Sequence, residues 1–362
     1  MNFMDEQFAD QISANQKQID AKIDDIFRTH NTELVTKFGC YSAESVKAFQ
    51  QITSRGGKRL RGSLLIQSYG MFGGKNLDVA ITAAAAIELI HTYLLIIDDF
   101  CDQSDIRRNG PSAHKYLSYL HKASKLQGDS DHFGSSIAIN SAIYGMHVAS
   151  NIILSLDVPS DIRISAHKNI NDNLLVTAHG QINDIYNEVL IDVDEKMIRN
   201  VLEWKTGYYT FLNPLQIGAI LAEADIDSID SLTDIALGLG TAFQLQDDIL
   251  GLFGNNAKTG KSNMDDLREG KMTLIIKNTF DRSNAKDKAI IKNALGNQQI
   301  NQKDLEQVQM IVKKTKVIDE LRVEIDRAID SSITLLHELN NTNKQHRDFI
   351  INIAKYIGTR ES

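Results

Sequence analysis

Proline is scarce in this sequence, whose 362 residues contain only Pro111, Pro159 and Pro214. An average composition has about 5% proline, or roughly 18 in a chain of this length. Proline inside a helix removes a backbone hydrogen bond and clashes with the preceding turn. Since a common breaker of long helices is nearly absent, the composition predicts an all-α fold.

Cysteine is scarcer still, with only Cys40 and Cys101. Two cysteines are too few for a disulfide framework or a structural zinc site. The first residues, MNFMDEQFAD, also lack the basic and then apolar order of a secretory signal peptide. Together these features predict a reducing, cytoplasmic setting.

Positive charge is in deficit, because 39 basic residues face 47 acidic ones and give a net charge of −8. This balance argues against nonspecific attraction to nucleic acid or to an anionic membrane surface. An anionic ligand must therefore be held by a local group of basic side chains.

Long uncharged apolar runs are also rare, and the longest candidate is VAITAAAAIELIHTYLLII at residues 79–97. Glu88 and His91 lie inside this run, and Asp98 and Asp99 follow it at once. A carboxylate at the centre of a bilayer costs about 2.5 to 3.5 kcal/mol. We therefore expect a buried core helix here and no transmembrane segment.

Apolar residues follow the period of a helix along the whole chain. Phe8, Ile12, Ile19, Ile23 and Phe27 form the first such face, which should pack on the outside of a bundle. Similar patterns cover residues 42–53, 63–72, 78–103, 135–155, 161–190, 195–211, 214–223 and 231–253, and five further stretches between residues 271 and 357. No linker rich in Pro, Gly or Ser divides the chain, so we expect a single helical domain over residues 1–362.

Three aspartates close the apolar helix in the sequence LLIIDDFCD. Asp98 and Asp102 are four residues apart and share a helix face, with Asp99 one residue round. Like charges repel at this spacing, and the C-terminal end of a helix is already partly negative. Oxygen ligands of this kind favour Mg²⁺ or Mn²⁺, although a solvated acidic helix end is the alternative.

A second aspartate pair, Asp247 and Asp248, ends the apolar stretch FQLQDD 149 residues later. Basic residues follow both pairs: Arg107 and Arg108 after the first, and Lys261, Arg268 and Lys271 after the second. Two such pairs are a more specific pattern than one.

A third basic element is SRGGKRLRGS, which contains Arg55, Lys58, Arg59 and Arg61 with no acidic residue among them. Its glycines let the backbone approach a ligand. Basic side chains at the start of a helix form a phosphate site together with the exposed backbone N–H groups. A solvated basic turn is the alternative interpretation.

With these motifs the chain resembles the trans-isoprenyl diphosphate synthases, also called the polyprenyl synthetase family. The motifs that carry the resemblance are GGKRLR (56–61), DDFCD (98–102), GQIND (180–184), Lys205 with Thr206, FQLQDD (243–248), TGK (259–261) and the DLREGK that ends at Lys271. All occur in the family's order and approximate spacing.

The resemblance implies antiparallel helices around a central cavity, with the two aspartate motifs facing each other, and a homodimer. It implies that Asp98, Asp102 and Asp247 hold three Mg²⁺, with Asp99 and Asp248 as further ligands or supports. Arg107, Lys205, Lys261 and Lys271 would contact the allylic diphosphate, with Lys205 and Lys261 counted as catalytic together with the three aspartates. Lys58, Arg61, His91 and Arg108 would bind isopentenyl diphosphate.

Several further residues belong to these motifs or lie beside them. The substrate-binding set implied by the resemblance also includes Thr206, Gln181 and Gln244, with Gln181 suited to line the cation region or to make a polar contact between helices. His91 lies two turns before Asp98, so it shares the aspartate-bearing face. Departures from the family pattern are Gly62 for proline, Ile97 for histidine, Asn109 for glycine and Gly251 for the last aspartate of the second motif.

Tyr93 lies five residues before Asp98, about 7.5 Å along the helix axis. In the family a bulky aromatic at this position closes the floor of the product pocket, although an ordinary core aromatic is the alternative. The pattern predicts geranylgeranyl (C20) diphosphate, with farnesyl (C15) or longer products as alternatives. A class I terpene cyclase and a noncatalytic subunit of a heteromeric synthase remain as alternatives of other classes.

Overall fold

The computed structural model describes residues 6–190, 192–254 and 262–360. In chain order the helices are α1 (Glu6–Ser54), α2 (Leu60–Met71), α3 (Leu77–Cys101), α4 (Ala113–Ala123), α5 (Ser130–Leu154), α6 (Ser160–Val189), α7 (Glu195–Val201), a π-helix (Leu202–Leu212), α8 (Asn213–Leu221), α9 (Ile226–Phe253), α10 (Asp265–Glu269), α11 (Leu274–Arg282), α12 (Ala285–Ala294), α13 (Gln302–Thr315), α14 (Val317–Glu338) and α15 (Lys344–Thr359). Two-residue strands, β1 (Ile106–Arg107) and β2 (Gly110–Pro111), pair as an antiparallel hairpin. The predicted all-α class is confirmed.

The chain divides into two compact units. The N-terminal unit contains the described residues within 4–168 and 217–223, and the C-terminal unit contains those within 169–216 and 224–362. The first aspartate motif belongs to the N-terminal unit and the second to the C-terminal unit. The single domain expected over residues 1–362 stays a prediction.

The apolar face predicted at the start of the chain is buried in α1. Phe8, Ile12, Ile19, Ile23 and Phe27 are all at most 9% exposed. Burial of one such side chain contributes about 1.5 to 3 kcal/mol. The backbone is not helical at Gly39, where φ is +82°, so a break separates the first helical stretch from the one predicted over residues 42–53. Glycine adopts this left-handed conformation without the clash that a Cβ would cause.

Helix α3 is the core of the N-terminal unit and contacts α1, α2 and α5. Its four consecutive alanines at residues 83–86 are fully buried, and their small side chains let neighbouring helices approach closely. Both α3 and α5 are long and apolar enough to cross a membrane, but 67% of the most apolar window of α3 is buried inside the protein, against 39% for α5. The burial of α3 agrees with the predicted core helix.

Glu88, the carboxylate inside this apolar helix, is satisfied by α2. It accepts a hydrogen bond from the backbone N–H of Gly62 at 2.9 Å and lies 3.6 Å from the Arg59 guanidinium. Proline has no backbone N–H, so the proline common in the family at position 62 could not make this bond. A Cβ on Gly62 would also lie 2.7 Å from the side chain of Ile19. The departure at this position therefore fits its surroundings.

Helix α9 is the core of the C-terminal unit and packs against the π-helix, α14 and α15. The sequence predicts one α-helix over residues 195–211, whereas the structure changes from α to π geometry at Leu202. A Cβ on Gly240 of α9 would lie 2.5 Å from the Cα of Gly207 in the π-helix. The two glycines therefore let these helices meet backbone to backbone beside Thr206.

Candidate active site

The first aspartate motif divides its carboxylates between two directions. Asp98 keeps 22% of its side chain exposed, and Asp102 is half-buried at the end of α3. Asp99 is fully buried and accepts a hydrogen bond from Nε of Arg107 at 2.7 Å. Since consecutive residues on a helix point about 100° apart, Asp98 and Asp99 cannot share a face. This placement favours a supporting role for Asp99 over direct contact with a metal.

Arg107 forms ion pairs with two aspartates at the C-terminal end of α3. Its guanidinium bonds Asp99 and lies 3.5 Å from Oδ2 of Asp98. Burial alone would lower the pKa of Arg107, but the charge and hydrogen bond of Asp99, together with Asp98 and Asp102, raise it above its ordinary value. Arg107 is thus held as a cation by the aspartates that precede it.

The hairpin β1–β2 positions Arg107 and Arg108, and the sequence motifs did not predict it. Arg107 pairs with Gly110 across a two-residue turn in which Arg108 and Asn109 have φ of 51° and 58°. Two-residue turns of this hand need positive φ at both central positions, and asparagine tolerates it better than most residues. Asn109 therefore serves where the family pattern has glycine.

Arg108 and His91 belong to a crowded cationic cluster, which we define as Arg61, His91 and Arg108. Nε2 of His91 lies 3.3 Å from Nη1 of Arg61. Burial, followed by the charges of Arg61 and Arg108, lowers the pKa of His91 well below 6.5. The ring is neutral at pH 7 and accepts a hydrogen bond from Arg61, which can only donate.

The pKa of Arg108 falls to about 10, because of burial and the charge of Arg59, with Arg61 adding to the effect. Gly57 lies against this guanidinium, since a Cβ on it would stand 3.1 Å from Nη2 of Arg108. The φ of Gly57 is +118°, which only glycine adopts readily. The glycine thus lets the backbone and the arginine approach each other.

The four basic residues at 55–61 do not act alike. Arg59 is 3% exposed and bonds Asp20 at 2.7 Å and the backbone carbonyl of Thr53 at 2.7 Å. Arg55 donates to the carbonyl oxygen of Pro111 in β2. These two arginines hold the fold together, whereas Lys58 is exposed and Arg61 lies in the cationic cluster.

The second aspartate motif shows the same division. Asp247 keeps 53% of its side chain exposed, and Asp248 is buried at 8% exposure. Gln244 donates to Oδ1 of Asp248 at 2.9 Å and accepts from the hydroxyl of Thr206 at 2.7 Å. Burial raises the pKa of Asp248 well above its ordinary value, and the Gln244 bond offsets only part of that rise.

Lys205 and Asp184 meet where α6 lies against the π-helix. Lys205 donates to Oδ2 of Asp184 at 2.6 Å, and Gln181 lies half-buried three residues before Asp184. A Cβ on Gly180 would overlap the backbone of Lys205 and Trp204. This close approach explains the glycine of the GQIND motif. Departures from α geometry of this kind are frequent at functional sites.

Lys271 and Lys261 are both predicted to contact the allylic diphosphate, but the structure describes only the first of them. Lys271 forms an ion pair with Glu269 at 2.9 Å. Lys261, with the rest of the TGK motif, lies outside the described residues.

Arg360, which the sequence motifs do not include, reaches the second motif. Its guanidinium donates to Oδ1 of Asp247 at 2.8 Å and to the carbonyl oxygen of Phe243 at 3.0 Å. It also stacks over the Phe243 ring, with its central carbon 3.9 Å from the centroid. No signal in the local sequence links an arginine near residue 360 to a helix more than a hundred residues earlier.

The donor set of the two motifs fits a magnesium ion in its chemistry. Within the ranges that the structure describes, no three Asp, Glu, His or Cys side chains are already gathered as a closed metal site. Mg²⁺ typically uses one or two protein carboxylates, with waters and substrate phosphate completing its shell. Asp98, Asp102 and Asp247 are carboxylates that retain exposure, so an open site of this kind suits them.

The fold and the two motifs define a class of all-α enzymes, and comparison with known proteins agrees. The polyprenyl synthetase family model matches residues 43–312, so the chain belongs to this family. The chain is 32% identical to the geranylgeranyl diphosphate synthase of Sulfolobus acidocaldarius over 74% of this chain and 76% of that protein. It is 31% identical to the Saccharolobus solfataricus enzyme of the same name over 72% of this chain and 73% of that protein.

A solved structure extends the similarity to the whole chain. The geranylgeranyl pyrophosphate synthase of Corynebacterium glutamicum, complexed with isoprenyl diphosphate and magnesium, superposes with a TM-score of 0.88 at 26% identity. The match covers 97% of this chain and 98% of that one. The predicted family is thus confirmed, and with it a prenyltransferase that makes isoprenyl diphosphates.

Proposed function

We propose that the protein is a Mg²⁺-dependent trans-prenyltransferase that condenses isopentenyl diphosphate with an allylic diphosphate to give geranylgeranyl diphosphate. The observation that carries the proposal is the cationic cluster of Arg61, His91 and Arg108 beside α3. Positive charges that lower the pKa of a neighbouring arginine are costly unless they bind an anion of high charge, and a diphosphate is such an anion. A terpene cyclase, which takes one diphosphate substrate, has no use for this second basic site.

In this proposal isopentenyl diphosphate binds the cationic cluster together with the exposed Lys58. The allylic diphosphate binds Arg107, Lys205 and Lys271, and Lys261 joins them on the strength of its motif alone. Thr206 and Gln244 hold Asp248 in place, because they form a continuous hydrogen-bonded chain to it. Gln181 lies beside Lys205 and lines the region where the allylic cation forms.

The aspartates hold the metal ions in this proposal. Asp98, Asp102 and Asp247 bind three Mg²⁺, for which Mn²⁺ can substitute, and Asp99 and Asp248 support them from buried positions. The bound metal supplies charge neutralisation of the diphosphate leaving group. Arg107 and Lys205 add fixed positive charge that stabilises the departing diphosphate.

The reaction then balances without a side-chain base. The bond between carbon and oxygen of the allylic diphosphate breaks, and the diphosphate leaves with the electron pair. The double bond of isopentenyl diphosphate attacks the allylic cation and forms the new carbon–carbon bond. The proton lost from the resulting cation passes to the departing diphosphate. The protein contributes by orienting both substrates.

We also propose a homodimer through α6. Leu175, Ile182 and Tyr186 are 63%, 50% and 59% exposed. Their spacing of seven and then four residues places them on one helix face, where an apolar stripe favours burial by a second copy of the chain. The cytoplasmic setting stays a prediction.

Product length is assigned through Tyr93. This residue lies half-buried on α3, and burial raises the pKa of its phenol. If Tyr93 closes the floor of the product pocket, Tyr93→Ala opens that floor and shifts the products beyond C20. Tyr119→Ala, which removes an exposed tyrosine of α4, is the matched control.

The experiment is incubation of the purified protein with isopentenyl diphosphate, an allylic diphosphate and Mg²⁺, followed by chromatography of the products. Diphosphate release together with a C20 product supports the proposal. Release of diphosphate without elongation would indicate a cyclase, and no turnover would indicate a noncatalytic subunit. An unchanged product distribution in Tyr93→Ala would remove Tyr93 as the floor.

A further inference from the structure

Helix α2 begins without a side-chain cap from its own sequence. The residue before its first turn is Arg59, which has a φ of 47° and makes no capping hydrogen bond with its side chain. A guanidinium can only donate, so it cannot satisfy the free N–H groups of a helix start. The first turn also has no acidic residue and includes Gly62, whose backbone is the most permissive of all residue types. The start of α2 therefore depends on a partner from another helix.

Glu88 of α3 is that partner. Its Oε1 accepts a hydrogen bond from the backbone N–H of Gly62 at 2.9 Å, and the residue is only 2% exposed. Gly62 is the third residue of α2, and the first bond inside the helix runs from the next N–H, that of Ser63, to the carbonyl oxygen of Arg59. The N–H of Gly62 is thus one of the free donors of the helix start, where the helix dipole also favours a negative charge.

This bond fixes the backbone next to Arg61 of the cationic cluster. Arg61 immediately precedes Gly62, and its Nη1 lies 3.3 Å from Nε2 of His91. His91 follows Glu88 by three residues, so both side chains project from the same face of α3. That face therefore holds α2 at two points, by a carboxylate on the backbone and by an imidazole on a guanidinium. A shift at Gly62 would carry Arg61 with it and separate it from His91.

The charge of Glu88 does not by itself explain its presence here. Glu88 lies 3.6 Å from the Arg59 guanidinium, but Arg59 also bonds Asp20 at 2.7 Å. A carboxylate near a site for a diphosphate repels that ligand, so by charge alone Glu88 would weaken its binding. The hydrogen bond to Gly62 provides the compensating advantage.

We infer that Glu88 is a positioning residue for the second substrate, because it holds Arg61, through the backbone N–H of Gly62, where isopentenyl diphosphate binds. The inference deepens the proposed function and rests on it for the identity of this ligand. Glu88 itself does not contact the substrate in this assignment. Gly62 takes part through its N–H, which the proline common at this position in the family lacks.

Two conservative variants separate the hydrogen bond from the charge. Glu88→Gln keeps an acceptor at the same length and removes the charge, whereas Glu88→Asp keeps the charge and withdraws the acceptor by one methylene group. We expect Glu88→Asp to raise the KM for isopentenyl diphosphate about tenfold, the equivalent of one lost hydrogen bond to a charged group. Its kcat and its KM for the allylic diphosphate should stay within about twofold of the wild type. Both KM values of Glu88→Gln should stay within about threefold.

Asp20→Asn is the matched control, because it removes a second carboxylate that binds Arg59 and leaves the bond between Glu88 and Gly62 in place. Both of its KM values should stay within about twofold of the wild type. A rise in this variant as large as that in Glu88→Asp would overturn the inference.

Three results in the Glu88 variants would also overturn the inference. The first is an unchanged KM for isopentenyl diphosphate in Glu88→Asp, which charge alone would produce. The second is an equal rise in the KM of both substrates, which would show a general disturbance of the fold. The third is a rise in Glu88→Gln as large as that in Glu88→Asp.

Amide hydrogen exchange of the wild-type protein tests the bond without any substitution. We expect the N–H of Gly62 to exchange at least about 100-fold more slowly than in an unfolded peptide. Exchange at the unfolded rate would overturn the inference even if neither variant of Glu88 folds.

Turnover and binding together separate this inference from the proposed function. A wild type that elongates an allylic diphosphate, with a KM for isopentenyl diphosphate that Glu88→Asp does not change, would overturn the inference alone. A wild type that binds isopentenyl diphosphate in calorimetry, more tightly than Glu88→Asp does, but elongates no allylic diphosphate would overturn the proposed function alone.

Discussion

The two aspartate motifs share a sequence pattern and a geometry. In each, the first aspartate of the pair keeps exposure, with 22% for Asp98 and 53% for Asp247. In each, the second aspartate is buried, with 0% exposure for Asp99 and 8% for Asp248. The pair therefore combines an outer carboxylate that can bind a cation with an inner one that the protein must compensate.

The motifs differ in how the inner carboxylate is compensated. The negative charge of Asp99 is compensated by the full positive charge of Arg107, which donates a hydrogen bond to it directly. Among the described residues, Asp248 accepts a hydrogen bond from the amide of Gln244, and the charge of Lys271 acts in the same direction, but burial still raises the pKa of Asp248 well above the ordinary value. The same dipeptide thus yields a buried ion pair in one unit and a carboxyl that retains its proton more readily in the other. The partner of the inner carboxylate decides which: Arg107, which follows the first motif, or Gln244, which lies within the second motif.

The largest effect should follow loss of an outer carboxylate. We expect Asp98→Asn to lower kcat about 1000-fold or more, because metal neutralisation of the leaving group supplies several kcal/mol. The thermal midpoint should hold, since the substitution relieves repulsion within the helix end. Steady-state kinetics and thermal denaturation measure the two effects.

Asp105→Asn is the control for Asp98, because Asp105 is a carboxylate just beyond α3 that pairs with Lys115 at 3.2 Å. Its kcat should match the wild type. If Asp98→Asn retained more than about a tenth of the activity, the outer position would not be a metal ligand.

The compensation of the inner carboxylates predicts unequal losses of stability. Arg107→Gln leaves Asp99 charged and buried, which should lower the free energy of unfolding by about 3 to 5 kcal/mol. Gln244→Ala removes one neutral hydrogen bond from a carboxyl with a raised pKa, so we expect a loss of about 1 to 2 kcal/mol. Urea denaturation at neutral pH compares the two, and equal losses would abolish the distinction between the motifs.

Much of this arrangement can be predicted from the sequence, since it depends on local spacing. The four-residue interval between Asp98 and Asp102 fixes a shared helix face, and the period of Phe8, Ile12 and Ile19 identifies the buried face of α1. The all-α class and the family follow from such patterns.

Contacts between distant segments could not be predicted in this way. Arg360 reaches Asp247 across 113 residues, and Asp266 fills the space above Gly251. The π-helix likewise lies backbone to backbone against Gly180 of α6 and Gly240 of α9. The period of the apolar residues shows neither contact. Each of these features arises from tertiary packing, where a single side chain or its absence decides the geometry.

Arg360 should affect metal affinity more mildly than the carboxylates do. Its guanidinium bonds Asp247, so it competes with a cation for that carboxylate. An ion pair with an exposed partner contributes up to about 1 kcal/mol, so Arg360→Ala should tighten Mn²⁺ binding by up to about fivefold. Lys355→Ala removes an exposed cation of α15, the helix that ends just before Arg360, and serves as the control. Weaker Mn²⁺ binding in Arg360→Ala would show that this arginine supports the site instead of competing for it.

The smallest effect concerns the pH dependence of stability in the N-terminal unit, where His91 faces the positive charges of Arg59, Arg61, Arg107 and Arg108. Burial and these charges hold the pKa of His91 well below 6.5 in the folded state, whereas the unfolded chain has the ordinary value. As the pH falls through that value, the unfolded state takes up a proton that the folded state refuses, so stability is lost.

Between about pH 8 and pH 6, this linkage should cost the wild type about 0.8 kcal/mol of unfolding free energy. His91→Gln cannot titrate and keeps an acceptor for Arg61, so its loss over the same range should be smaller by that amount. Urea denaturation of both proteins at the two pH values provides the comparison, in which the contributions of other histidines cancel. Parallel loss of stability in the two proteins would mean that the folded protein protonates His91 as readily as the unfolded chain does. The cationic cluster would then exert no net repulsion on this ring.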